Sequence, residues 1–365
     1  MASGFAQWGN DLYTGRRSYD VVGRRRRFYL VSGVLVLLSL VLLVRPGLNP
    51  GIDFRGGSQF TVSDVRDQDQ ELAVETVQSV SPDEVPRVTN VGASSLRIQT
   101  SQLAEGEVAE VSEALATAFD VPAEDVTSEF IGPSWGQDVS EKALTGLGVF
   151  LVLVMLTMTF YFRNWRMAAA AIIALFHDLI LTVGIYAAVG WEVTPATVIG
   201  FLTILAYSIY DTVVVFDKVR ENTTDTLDQT RFTYAERANL ALNQTLVRSI
   251  NTSVVALLPV LSILVVGAFI LGAGTLRDIA LSLFVGMLVG TYSSIFLATP
   301  IEVSLREREP RVRRHTDKVL AQRAGTATTD GGEGEPALAG APRATAALRP
   351  GAHQGQAAQP RRKNR

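Results

Sequence analysis

The sequence predicts an α-helical polytopic membrane protein, with six transmembrane helices and one α+β domain inserted outside the cytoplasm. Three observations predict it. Apolar residues make up 47% of the 365 residues and charged residues only 19%, an apolar excess over ordinary soluble domains. Six apolar runs recur, each close to the roughly 20 residues that cross a bilayer core. Between the first and second runs lies a long polar stretch, residues 45–142, whose periodicity alternates between that of strands and that of helices.

The runs are Phe28 to Val44, Ala143 to Phe162, Ala168 to Val189, Ala196 to Phe216, Leu246 to Gly267 and Ile279 to Ala298. The first follows Arg24, Arg25, Arg26 and Arg27, as a secretory signal would, but no small-residue cleavage site follows Val44, which predicts an uncleaved anchor. Lys and Arg flanks are retained on the cytoplasmic side, so their distribution sets the orientation. Arg16 to Arg27 precede the first run, Arg163 and Arg166 separate the second from the third, and Lys218, Arg220, Arg231 and Arg237 separate the fourth from the fifth. Between the third and fourth runs the only charge is Glu192, and Gly267 to Leu276 carries none. Both termini are therefore expected inside and residues 45–142 outside. The division is a cytoplasmic segment 1–27, a first helix 28–44, the external domain 45–142, helices two to six within 143–300, and a cytoplasmic tail 301–365.

Within the external domain the pattern reads as strand Gln59 to Val65, helix Gln70 to Val80, strands Arg87 to Val91 and Ser95 to Thr100, helix Glu107 to Phe119 and strand Asp125 to Ile131. Val108, Val111, Leu115 and Ala118 recur at helical spacing, while Leu96 and Ile98 alternate as in a half-buried strand. The order βαββαβ closes most simply as a ferredoxin-like fold. It either binds something outside or serves as a rigid spacer.

After Pro310 the composition turns to Ala, Gly, Pro and Arg, and Thr326 to Glu335 lacks apolar periodicity, so the tail is expected to be largely disordered. Its basic end, Arg361, Arg362, Lys363 and Arg365, suits anionic lipid or ribosomal RNA, with a solvated tail the simpler expectation and no specific nucleic acid among the partners. With no cysteine there is no disulfide, thiolate metal site or Cys nucleophile. GIDFRGG is not a P-loop, and no HExxH occurs, so neither nucleotide hydrolysis nor a metal or other cofactor is expected, and any energy source should be an ion gradient.

Several intramembrane residues carry chemistry. Asp211, in AYSIYDTVVVFD, lies short of the cytoplasmic boundary, where a carboxylate costs about 2.5 to 3.5 kcal/mol on insertion scales. Burial favours its neutral form and a nearby guanidinium its charged form, so an Asp alternating between the two takes up and releases a proton. Arg248, in NQTLVRSINTSV, is the candidate guanidinium, or else a positive-inside anchor; Asn243, Gln244, Ser249, Asn251 and Thr252 around it favour a hydrated seam. His177 and Asp178, central in the third run, suit a proton path or a hydrogen-bonded knot between helices, the knot being favoured for His177 because adjacent helical residues project about 100° apart. Gly286 and Gly290 form a GxxxG that admits another helix closely, internal or a partner's. Thr194 and Pro195 suit an N-cap and first helical position, and Pro259 predicts a kink or hinge.

GIDFRGG (51–57), IGPSWGQDVSEKA (131–143), FHD (176–178), YSIYDTVVVFDKVREN (207–222), NQTLVRSINTS (243–253) and GTYSSIF (290–296) together resemble the SecF members of the SecD/SecF family. The likeness runs from about Arg24 to Pro300, and the short external domain resembles SecF more than SecD. It implies a complex with SecD in the resistance-nodulation-division superfamily, located in the cell membrane and associated with the SecYEG channel, with SecA and YajC as further partners. Such a complex uses proton-motive force to assist late export of preproteins. The resemblance places the family's intramembrane Asp and Arg on Asp211 and Arg248, and its glycine motif on Gly51, Asp53, Gly56 and Gly57. The sequence departs at Tyr210, where many members carry Asn, and a Tyr hydroxyl there is a candidate replacement hydrogen-bonding group. The alternatives are one half of a proton-driven exporter of lipids or small molecules, and a structural subunit that conducts nothing.

Overall fold

The computed structural model describes residues 4–270 and 274–329. Within them, six helices are long and apolar enough to cross a membrane. Helix α1 (Gly4–Tyr13) precedes the first spanning helix, α2 (Arg25–Val44). The inserted region runs β1 (Asn49–Pro50), α3 (Ile52–Arg55), β2 (Gly57–Val62), α4 (Gln70–Val80), β3 (Arg87–Val91), β4 (Ser95–Thr100), α5 (Glu105–Phe119) and β5 (Val126–Ile131). Then come α6 (Pro133–Phe162), α7 (Trp165–Val189), β6 (Glu192–Val193), α8 (Pro195–Thr223), α9 (Tyr234–Ser262) with a π-helical end at Ile263–Ile270, and α10 (Gly274–Ser293) with a π turn at Ser294–Ala298. The chain closes with α11 (Thr299–Arg306) and α12 (Pro310–Thr329).

The spanning helices outrun the apolar runs that predict them, α6 by starting at Pro133 and α9 by starting at Tyr234. An apolar run measures hydrocarbon thickness, whereas a helix continues into water wherever its backbone bonds and caps allow. Thr194 caps α8 as expected: its Oγ1 accepts from the Thr197 amide at 3.2 Å, and Pro195 opens the helix. Helix α9 passes through Pro259 and changes to π geometry at Ile263.

Among the described residues two compact units can be distinguished, one within residues 26–212 and 251–298, the other within residues 4–25, 213–250 and 299–329. The first unit contains the inserted domain, whose antiparallel sheet has the order β3-β4-β2-β5. That is the ferredoxin-like βαββαβ arrangement. Helices α4 and α5 cover one face, where Phe60, Val62, Leu96, Ile98, Val77 and Leu115 are fully buried. Asp69 starts α4 by accepting from the amides of Glu71 and Leu72, and Glu107 starts α5 by accepting from the Ala104 amide. The opposite face is polar, because Gln59, Arg97 and Gln99 alternate with those core residues.

In the bundle of the same unit, α7, α8 and α10 are tightly packed, while α2 and α6 leave most of their apolar surface exposed. Helix α2 meets α7 where Gly184 leaves room for Ser39, and its Ser32 lies 3.2 Å from the Tyr292 hydroxyl. Gly286 and Gly290 resolve the choice left open by the GxxxG: they pack internally on α8, against Ile204 and Ser208.

The second unit holds two features the sequence reading lacked. Asn239 and Asn243 on α9 grip the N-terminal segment, each accepting from backbone amides of Tyr19, Val21 or Val22 and donating to the Tyr19 carbonyl. Asn243, read as part of a hydrated seam, is instead fully buried in that grip. The expectation of a largely disordered chain after Pro310 fails for the described part. Val312, His315 and Val319 form a buried stripe on α12, His315 Nε2 meets the Gln229 carbonyl, and Arg323 pairs with Glu236. The helix does not bury enough surface alone, but it finds a partner surface in this unit. Residues 330–365 lie outside the described residues.

Candidate functional site

The central polar group of the bundle is Asp178, at 0% exposure. Helix α7 carries it inward because Ala174, Leu175 and Leu181 bury the same face. Its Oδ2 accepts from Ser208 on α8 at 2.6 Å and from Ser293 on α10 at 2.7 Å, and its Oδ1 lies 3.1 Å from His177 Nδ1. One carboxylate thus ties three spanning helices. His177 stacks on Tyr292 with ring centroids 6.1 Å apart, and its Nε2 is buried with no hydrogen-bond partner among the described residues. The two adjacent side chains therefore do meet, although their backbone directions diverge, because the imidazole folds back toward the carboxylate.

Asp211 follows one turn after Ser208 on α8 and is 4% exposed. Its Oδ2 accepts from Ser294 Oγ at 2.5 Å. Consecutive serines of the last span, Ser293 and Ser294, so serve two different carboxylates. Consecutive helical residues point about 100° apart, which sends the two hydroxyls to different carboxylates, and Ser294 is also where the helix changes to π geometry. GTYSSIF contains both serines, yet nothing in their spacing marks them as carboxylate ligands rather than small packing residues.

The other predicted residues fall as follows. Arg248 is an exposed side chain on α9, within the second unit. Asn251, on the same helix, is exposed, and Tyr210 is 57% exposed with no hydrogen-bond partner among the described residues.

The glycine motif sits at the junction of the inserted domain with the bundle. Gly51 leaves space for the Glu192 carboxylate, which a Cβ there would approach to 2.6 Å. Gly56 and Gly57 adopt positive φ, 77° and 141°, and a Cβ on Gly57 would strike the Thr100 carbonyl, so α3 turns into β2 only through these residues. Asp53, half-buried between them, has its carboxyl pushed above the usual range by burial and then by Glu192 and Glu129. Sequence reasoning also missed Glu302, fully buried on α11 in the second unit, where it accepts from the Tyr234 hydroxyl at 2.7 Å. No group of acidic, His or Cys side chains among the described residues is arranged to hold a metal ion.

Comparisons with known proteins agree with this layout. Residues 111–308 match the family model "Protein export membrane protein SecD/SecF, C-terminal", and residues 41–63 match the "SecD/SecF GG Motif". The chain is 48% identical to protein translocase subunit SecF of Streptomyces coelicolor over 317 residues, covering 87% of this chain and 84% of that protein. It is 44% identical to SecF of Mycobacterium tuberculosis, covering 94% and 82%. The crystal structure of SecDF from Thermus thermophilus, described as a translocon-associated membrane protein, superposes with a TM-score of 0.71 at 30% identity, covering 80% of this chain and 39% of that longer one. A transport subunit and not an enzyme, a multi-pass protein of the cytoplasmic membrane that assists protein export, this chain belongs to the SecF branch of the SecD/SecF family.

Proposed function

We propose that this SecF subunit couples proton-motive force to export through Asp211, with both termini in the cytoplasm and the ferredoxin-like domain outside. The observation that supports this most is a carboxylate buried among spanning helices and held by a hydroxyl at a π turn. A carboxylate so placed is costly when ionised, and changing its protonation changes which helix arrangement is lowest in free energy. Arg248, on the following span, is the cation against which ionised Asp211 is exchanged. Each elementary charge crossing 100 mV supplies about 2.3 kcal/mol, enough to shift a two-state equilibrium roughly fiftyfold.

The partner is SecD. In the Thermus thermophilus SecDF the region matching this chain makes up 39% of a longer chain, and that fusion supports association with SecD. The exposed apolar surfaces of α2 and α6 suit that partner and lipid. The SecYEG channel, with SecA and YajC, and the emerging preprotein complete the set. Export of a secreted reporter in cells whose only copy carries Asp211→Asn is expected to fall to the ionophore-treated level. Normal export that still responds to ionophore would reject the reading.

A further inference from the structure

The hairpin joining α7 to α8 ends in Glu192, and its surroundings are built around that one side chain. Its backbone forms a short parallel ladder with β1, pairing Asn49 with Glu192 and Pro50 with Val193, extended by the Gly51 amide donating to the Val193 carbonyl at 2.9 Å. From that ladder the carboxylate reaches the polar face of the inserted sheet. Oε1 accepts from Gln99 Nε2 at 2.6 Å, and Oε2 lies 3.5 Å from Arg97 Nη1, with the Glu and Arg side chains only 10% and 14% exposed. Gly51 of the glycine motif gives the carboxylate its space.

Further charges face this contact from every packed element. Asp53 on α3 is within electrostatic reach of Glu192, Glu129 and Arg97, and Asp278 at the start of α10 is within reach of Arg97, Glu192 and its neighbour Arg277. The carboxylates outnumber the guanidinium groups, so the Glu192 contact is held by directed bonds against a repulsive background.

The hairpin also carries the candidate site at its other ends. Asp178 lies on α7 and Asp211 on α8, so any rearrangement of those carboxylates moves the two helices whose shared tip is Glu192. We infer that Glu192 is the coupling residue of this subunit: its clamp on Arg97 and Gln99 transmits movement of the α7–α8 hairpin to the inserted domain, and must open and close during export. This rests on the proton-coupled reading above, and goes beyond it by naming the joint.

The absence of native cysteine makes the test clean. Spin labels at Ser79→Cys on α4 and Val189→Cys at the end of α7 should give a narrow distance distribution in the purified SecD–SecF complex, and Glu192→Ala should broaden it. The same substitution should lower proton-driven export severalfold while the complex still assembles, and the exchange Glu192→Arg with Arg97→Glu should recover part of the loss. Joining Glu192→Cys to Gln99→Cys with a reducible bifunctional reagent should lower export below that of the same unjoined double variant, and reductant should return it to the level of the unjoined variant. An unchanged distance distribution, normal export by Glu192→Ala, or export by the joined protein equal to that of the unjoined variant would each overturn the inference. If Asp211→Asn exports normally, the proton reading fails instead, whatever the labels report.

Discussion

Single residues decide how the two buried carboxylates differ. Asp178 receives two serine hydroxyls and the neighbouring imidazole, so all its contacts are internal and directional. Asp178→Asn keeps an oxygen for both hydroxyls and is expected to lower the melting temperature in detergent only modestly, with export retained. Asp178→Ala strands the Ser208 hydroxyl, leaves Ser293 only the Gly290 carbonyl at 3.2 Å, and should cost about 1–3 kcal/mol for the buried group left without a partner. If Asn abolishes export while the melting temperature holds, Asp178 belongs to the proton path and not to a structural knot. Asp53 gives a pH prediction outside the membrane. Its carboxyl is held above the usual range in the fold, so the wild type is unpenalised below the unfolded value of about 4 and loses stability as pH rises through the raised folded value. Asp53→Asn removes that penalty. Thermal melts should show the variant gaining on wild type at pH 7 and the gain disappearing near pH 3. These roles were only partly legible beforehand. The cost of a charge in an apolar run singles out Asp178 and Asp211 at once, whereas serines are common in spanning helices and their targets depend on how three helices meet.

At the scale of elements, sequence periodicity located α4, β3 and β4 to the residue, because each alternates core and surface positions and ends at a cap or turn. It failed for β1 and β6, which are two residues long and too short to show any period. It failed also for α12, whose apolar stripe of Val312, His315 and Val319 includes a residue not counted as apolar. Helix packing gives the third prediction. Gly286 has Ile204 where its Cβ would stand, and Gly290 has Ser208 at 3.1 Å from that point. Gly286→Leu should therefore force α10 away from α8 and lose the Ser208 and Ser293 bonds to Asp178 together. The readout is a folded yield in detergent well below that of Gly290→Ala, which needs a shift of only a few tenths of an ångström. Equal yields would mean that the α8–α10 contact contributes little.

For the whole molecule, the number of spans and the inserted domain were legible because the bilayer imposes a length and the domain an independent periodicity. What escaped was the folded part of the second unit, where neither constraint operates. Asn239 and Asn243 bind the segment around Tyr19 across a separation of 224 residues, as the Tyr19 amide to Asn243 contact shows. During synthesis those backbone groups wait for their acceptors until the fifth span begins to emerge from the ribosome. The leading segment is consequently among the first made and the last satisfied. A truncated chain that ends before residue 239 would leave its own beginning open to proteases, giving the cell a simple mark of incomplete manufacture.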